Sequence, residues 1–143
     1  LKVAGRDFDV DAYLQSGTLV PVGVYRRSES RFPTLPRARK SLESGFNVVV
    51  AQNAISDFEV LVEDALGFLG HHRQAIRTLR RRKGVESVTL DFRLQRSPEP
   101  MPVRVFPEGL VRLAGELGLG LELSLYPAPD PTPPGMSEGP ALA

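Results

Sequence analysis

The chain contains no cysteine and no tryptophan. The first absence excludes a disulfide framework, thiolate zinc sites, iron–sulfur clusters and thiol nucleophiles. No apolar run approaches the roughly 20 residues that cross a bilayer, and no basic-then-apolar leader opens the chain, so a cytoplasmic protein with no membrane association is expected. There is no G-x-S-x-G turn and no Walker loop, and acyl transfer at a nucleophile elbow and P-loop phosphate binding both lack the backbone they require. A large charge excess is missing as well. Eighteen Lys and Arg against seventeen Asp and Glu leave a formal +1, which disfavours a dedicated nucleic-acid binder. What is present is 143 residues, 41% apolar and 24% charged, a composition suited to one globular domain with a substantial core. Leu1 rather than Met opens the chain, within strand-like sequence, which suggests that upstream residues were trimmed.

Residues 127–143 hold six prolines and little that packs, so a single domain over 1–126 followed by a disordered Pro-rich tail is expected. Leu1 to Ala4 read as the remainder of a first strand. Asp9 is placed to cap a short helix from Val10 to Ser16, with Gly17 at a left-handed C-terminal position. Val22 to Tyr25 suggests a short strand within a loop-like stretch, and Phe46 to Ala51 a second strand. Ser56 and Glu59 form an S-x-x-E capping box flanked by Ile55 and Val60 as a hydrophobic staple, so a helix is expected from Asp57. Phe58, Leu61, Val62, Ala65, Phe68, Leu69, Ile76 and Leu79 carry its apolar face towards Gly84, with a kink or break near Gly70. Val88, Leu90, Phe92 and Leu94 alternate with Thr89, Asp91 and Arg93, the pattern of a strand with one wet face. Met101, Val103 and Val105 suggest a short strand. Pro107 then suits the first position of a helix through Leu117 closed by Gly118. Leu119, Leu121, Leu123 and Leu125 predict a half-buried final strand. This alternation favours an α+β fold, a two-layer arrangement with helices on one face of a mostly antiparallel sheet, ferredoxin-like or related.

Three phrases, FDVDAYLQSG near the start, SGFNVVV before the long helix and PEGLVRLAGELGLGLELSLYP at the end, resemble the bacterial family catalogued as domain of unknown function 4279. The resemblance runs from about Leu1 to Pro127. The chain departs from it at Phe46, where members more often place Trp. The resemblance supports the fold and implies no activity, cofactor or catalytic residue. Small families of this kind occur as immunity or accessory proteins beside bacterial toxins, and the resemblance extends that expectation to this chain.

Few constellations carry chemistry. Asp7, Asp9 and Asp11 form D-x-D-x-D, the opening of a calcium loop, but Ala12 stands where the loop needs Gly and Thr18 where it needs Glu. Capping and helix-dipole stabilisation of the first helix explain them better. His71 and His72 are the only histidines, and adjacent helix positions diverge by about 100°, so they cannot share a metal in a regular helix. Gly115, Gly118 and Gly120 lie between helix and strand, the reverse of a dinucleotide fingerprint. No metal, cofactor or catalytic residue is expected.

The cations are unevenly spread. Arg26, Arg27, Arg31, Arg37, Arg39 and Lys40 are opposed in sequence only by Glu29, and Arg73, Arg77, Arg80, Arg81, Arg82 and Lys83 by nothing. One reading makes both groups solvated surface, the second complementing a helix C-terminus. The other makes Arg26, Arg27, Arg31, Arg37, Arg39, Arg77, Arg80, Arg81 and Lys83 a recognition surface, since the planar guanidinium fork suits carboxylate or phosphate. The leading expectation is a non-enzymatic protein-binding module, immunity-type or adaptor, with an acidic partner. A small ligand-binding domain or enzyme is the alternative, and nucleic-acid binding a disfavoured third.

Overall fold

Val88, Leu90, Phe92 and Leu94 are buried while Ser87, Arg93 and Gln95 are exposed and Thr89 and Asp91 half-buried, and this alternation sets the two faces of a sheet. The computed structural model describes residues 1–30, 32, 34–35, 37–51, 57–96 and 103–127. The elements run β1 (Lys2–Gly5), α1 (Val10–Ser16), β2 (Gly23–Tyr25), β3 (Ser44–Asn47), α2 (Phe58–His71), α3 (Arg73–Arg80), β4 (Ser87–Gln95), α4 (Glu108–Leu117) and β5 (Gly120–Tyr126). The five strands lie in the order β2-β3-β1-β4-β5. Every neighbouring pair is antiparallel except β4 with β5, which are parallel and joined through α4.

Val3 lies opposite both Phe46 and Val88, so these three side chains share one face with Leu90 and Phe92. All helices pack there. The ring of Tyr13 in α1 stacks on Phe46 with centroids 4.8 Å apart, and Phe58 of α2 meets Phe92 at 5.9 Å. Ile76 and Leu79 of α3 and Leu110 and Leu117 of α4 join the same core. The fold is therefore α+β, with one helical layer on a mostly antiparallel sheet. By the same alternation Lys2, Tyr25, Asn47, Thr89, Asp91, Arg93 and Glu122 belong to the opposite face.

Local signals explain most boundaries, and several differ in detail from expectation. Asp9 caps α1 by accepting from the Ala12 amide at 2.9 Å. Gly17 is extended rather than left-handed, with φ −75° and ψ 150°; a Cβ there would fall 2.3 Å from the Tyr13 ring, so the aromatic rather than the backbone angle demands glycine. The cap of α2 is Asp57, whose carboxylate accepts from the Glu59 and Val60 amides. That is one residue beyond the expected cap, and Ser56 and Ile55 lie outside the described residues. The break expected near Gly70 falls at His72 and divides the long helix into α2 and α3. Strand β3 ends at Asn47, although the Val48 amide still donates to Leu1 O at 2.8 Å.

Pro107 is the residue before α4, with ψ 148°, and Gly118 closes that helix in the left-handed region at φ 70°. The short strand expected around Val103 and Val105 does not form: both are irregular and exposed, and Met101 lies outside the described residues. The Pro-rich tail was expected over 127–143, of which 128–143 lie outside the described residues. Strand β5 is less covered than its alternation implies. Leu121 packs against the core, but farther along this edge strand Leu123 is 41% and Leu125 61% exposed.

Candidate functional site

Helix α3 contributes both a buried and a basic side. Ile76 and Leu79 anchor it in the core, which turns Gln74, Arg77 and Thr78 outward. Helix α1 is anchored through Val10 and Tyr13, and its C-terminal turn comes beside α3. Between the two lies an open groove of about 1020 Å³, lined by Tyr13, Thr18, Arg77, Arg81, Arg82 and, from α4, Glu116. Arg82 spans it, donating to Ser16 Oγ at 3.3 Å with its guanidinium carbon 5.3 Å from the centroid of the Tyr13 ring. Burial pushes the Tyr13 phenol above its ordinary pKa, against the opposing pull of the Leu19 backbone and the Arg82 charge. The phenol therefore stays neutral and offers no negative charge to compete for the arginines.

The two cation groups differ in what they face. Arg26 forms a two-pronged pair with Asp11, with contacts of 2.6 and 3.0 Å, and its hydrogen bonds hold the Asp11 carboxyl below its usual range. Arg27 reaches Asp7 at 3.3 Å. Two carboxylates of the D-x-D-x-D run thus pair with arginines and the third caps α1, leaving no triad for a cation. Among the described residues no group of three or more His, Asp and Glu could hold a metal. Arg37 and Arg39 are exposed on the loop before Lys40, and Arg31 lies outside the described residues. Arg80 donates to Gly118 O at 3.2 Å and to Val85 O at 3.4 Å, tying α3 to the end of α4. Lys83 is exposed beyond α3. Arg77 and Arg81 line the groove and, among the described residues, form no ion pair. His72 packs against Phe68 with centroids 4.4 Å apart, and His71 meets His72 edge-on.

On the open face of the sheet a second polar cluster surrounds Asp91, whose side chain is only 4% exposed. Lys2 Nζ lies 3.0 Å from Asp91 Oδ2 and equally near Glu122 Oε1. Arg93 Nε donates to Asp91 Oδ2 at 2.9 Å, and Ser124 Oγ to Oδ1 at 2.7 Å. Burial pushes the Asp91 carboxyl up, but hydrogen bonds from Arg93, Ser124 and Lys2, with the Lys2 charge, outweigh it and hold the group below its ordinary pKa. The adjoining cleft of about 370 Å³ is lined by Lys2, Asn47, Asp91 and Arg93 with apolar Val48 and Leu61. Its charges satisfy one another, so the cluster works as a clamp across β1, β4 and β5. The sequence signal for it was slight: an acid and an arginine two apart on the wet face of a strand.

Because the folded pKa of Asp91 is depressed, its contribution to stability is present above the unfolded value of about 3.9 and is lost as pH falls through the folded value. Asp91→Asn is expected to cost about 1.5–2 kcal/mol at pH 7, the lower part of the range for charge-assisted hydrogen bonds, because Lys2 and Arg93 can return to water. Urea unfolding at neutral pH and near pH 3 tests this. The difference between the two proteins shrinks in acid, and a difference that persists there would place the loss elsewhere.

Comparison with family models, with curated proteins and with solved structures gives no match.

Proposed function

We propose that this chain is a cytoplasmic, non-enzymatic protein-binding module of adaptor or immunity type, which takes an acidic segment of its partner into the groove between α1 and α3. One observation carries the reading. Arg77 and Arg81 line an open groove and form no ion pair among the described residues, although Glu116 lines the same groove, whereas Arg26 and Arg27, equally cationic in sequence, are paired. Unpaired guanidinium groups in a groove that Tyr13 also lines offer carboxylates both charge and directed hydrogen bonds. Arg37 and Arg39, exposed and without an ion pair among the described residues, are further cations that an acidic partner would meet. Arg80 and Lys83 contribute to its field, although Arg80 is held by carbonyl groups. The near-neutral total favours a protein over a polyanionic nucleic acid.

The test uses the full chain and a fluorescent peptide rich in Glu and Asp. Binding is expected to weaken by about tenfold or more as salt rises towards about 0.5 M, where the Debye length is roughly 4–5 Å. The double reversal Arg77→Glu, Arg81→Glu is expected to weaken it by about tenfold or more, mainly in association rate, with only a small loss of stability, since both side chains are solvated and only the favourable charge at the α3 C-terminus is reversed. Duplex DNA, which the same charges attract, competes poorly. Binding indifferent to salt and to the reversals overturns the reading, and DNA binding tighter than peptide binding replaces it with a nucleic-acid surface.

A further inference from the structure

The two edges of the sheet are treated differently. Edge strand β2 is three residues long and continues into a loop whose main chain is already engaged, with Ser28 N donating to Ser41 O and Ser41 N to Glu29 O, both at 2.8 Å. Edge strand β5 is seven residues long and contains no proline and no lysine. Among the described residues nothing pairs with its outer side. A long unshielded edge is a template for another strand.

The register identifies which groups are unused. Arg96 N donates to Tyr126 O at 2.7 Å, and Gln95 lies beside Tyr126 in the parallel ladder. In such a ladder alternate residues direct both main-chain groups to the same neighbour. Gly120, Glu122, Ser124 and Tyr126 therefore bond inward to β4, while the amides and carbonyls of Leu121, Leu123 and Leu125 point away from the sheet. The side chains of these leucines lie beside Leu90, Phe92 and Leu94 on the helical face, and Leu123 and Leu125 remain exposed there.

We infer that β5 pairs with β5 of a second copy of this chain, antiparallel, about a two-fold axis through Leu123. This register is self-complementary. Leu123 faces Leu123 and Leu121 faces Leu125, which matches the outward amides and carbonyls in about six main-chain hydrogen bonds and brings the leucines of both copies together. Between those pairs Glu122 faces Ser124, not another Glu122, so no like charges meet. At the ends Tyr126 faces Gly120, where an aromatic ring can cover the bare backbone. A two-fold axis normal to the sheet keeps the helices of both copies on one side and continues the five strands of each copy into one larger sheet. A strand pair of this length buries less than the roughly 1,200 Å² of a standard interface, so the dimer is a weak one. The surface shares no residue with the α1–α3 groove, and its test is independent of that reading.

Sedimentation of the full chain between about 1 and 500 µM is expected to show a monomer–dimer equilibrium, and Leu123→Lys to weaken it at least tenfold by opposing two cations at the axis. An unchanged thermal melt of that variant shows that the fold survives. The absence of cysteine supplies a second measurement. Leu123→Cys is expected to cross-link two chains on mild oxidation, because paired Cα atoms lie about 5.5 Å apart. Glu122→Cys is expected not to cross-link, because its copies are offset beyond the roughly 7 Å limit. A monomer at every concentration, a dimer indifferent to Leu123→Lys, or equal cross-linking at both positions overturns the inference.

Discussion

Gly84→Ala is expected to destabilise the domain by about 3 kcal/mol or more, a large part of the roughly 5–15 kcal/mol that holds a typical domain together. Two costs combine. Gly84 sits at φ +87°, where a side chain is strained. A Cβ would also stand 2.3 Å from the Asp7 carbonyl oxygen and 2.7 Å from Phe8 Cα, and both are main-chain atoms that no rotamer change can move. The contact is reciprocal: a Cβ on Gly5 would meet Gly84 O at 1.7 Å. Here the turn after β1 presses on the turn before β4, locked by Glu86 N donating to Ala4 O at 3.0 Å and Arg6 N donating to Glu86 Oε1 at 3.2 Å. Moving Asp7 and Phe8 disturbs the approach to α1 and a phenylalanine of the core. Gly67→Ala and Gly70→Ala in α2, where a Cβ meets nothing within 4 Å, are expected to add about 0.5–1 kcal/mol each. Urea unfolding of the three variants separates the cases, and a Gly84→Ala protein as stable as the parent would refute the close approach.

Gly84 also marks how far local signals reach. Its place after a basic apolar-periodic segment predicts a helix stop there, but α3 ends at Arg80 and Gly84 belongs to the turn that follows. That the turn must also make room for Gly5, seventy-nine positions earlier, is a tertiary fact with no local trace. The same division runs through the fold. Asp9, Gly118 and the alternation in β4 act within a few residues of themselves, and α1, the end of α4 and β4 fall where expected. Strand β5 carries equally clear alternation, yet its burial depends on lying at an edge, which only the strand order decides. The α2–α3 break falls two residues past Gly70 because a glycine lowers the cost of leaving the helix without dictating the point. At the groove, arginine composition identified the cations but not their partners. Asp7 and Asp11 read as caps or ligands in sequence, and only folding brings them onto Arg27 and Arg26. Tyr13 carries no distinguishing signal in the sequence, and its place in the core and beneath Arg82 arises from the packing of α1 beside α3.

Phe46→Ala is expected to cost about 3–5 kcal/mol, the range for deleting a buried aromatic ring. Phe46 is fully buried, stacked on Tyr13 and 6.2 Å from Phe8, and flanked in the sheet by Val3 and Val24. The cavity cannot close easily, because its walls are two strands and the rings that hold α1 to the sheet. The loss also bears on the groove. Tyr13 is held from below by Phe46 and carries Arg82 above, so removing its support frees the ring to tilt into the vacancy and take the Arg82 contact with it. In the fraction that remains folded, affinity for the acidic peptide is expected to fall together with stability, whereas Arg77→Glu with Arg81→Glu lowers affinity with little loss of stability. Phe46→Leu, which refills part of the cavity, is expected to recover more than half of the stability. Chemical denaturation and peptide titration of the same samples test the coupling. A Phe46→Ala protein that loses stability while its folded fraction binds the peptide undiminished would show that the arginines act without the aromatic floor.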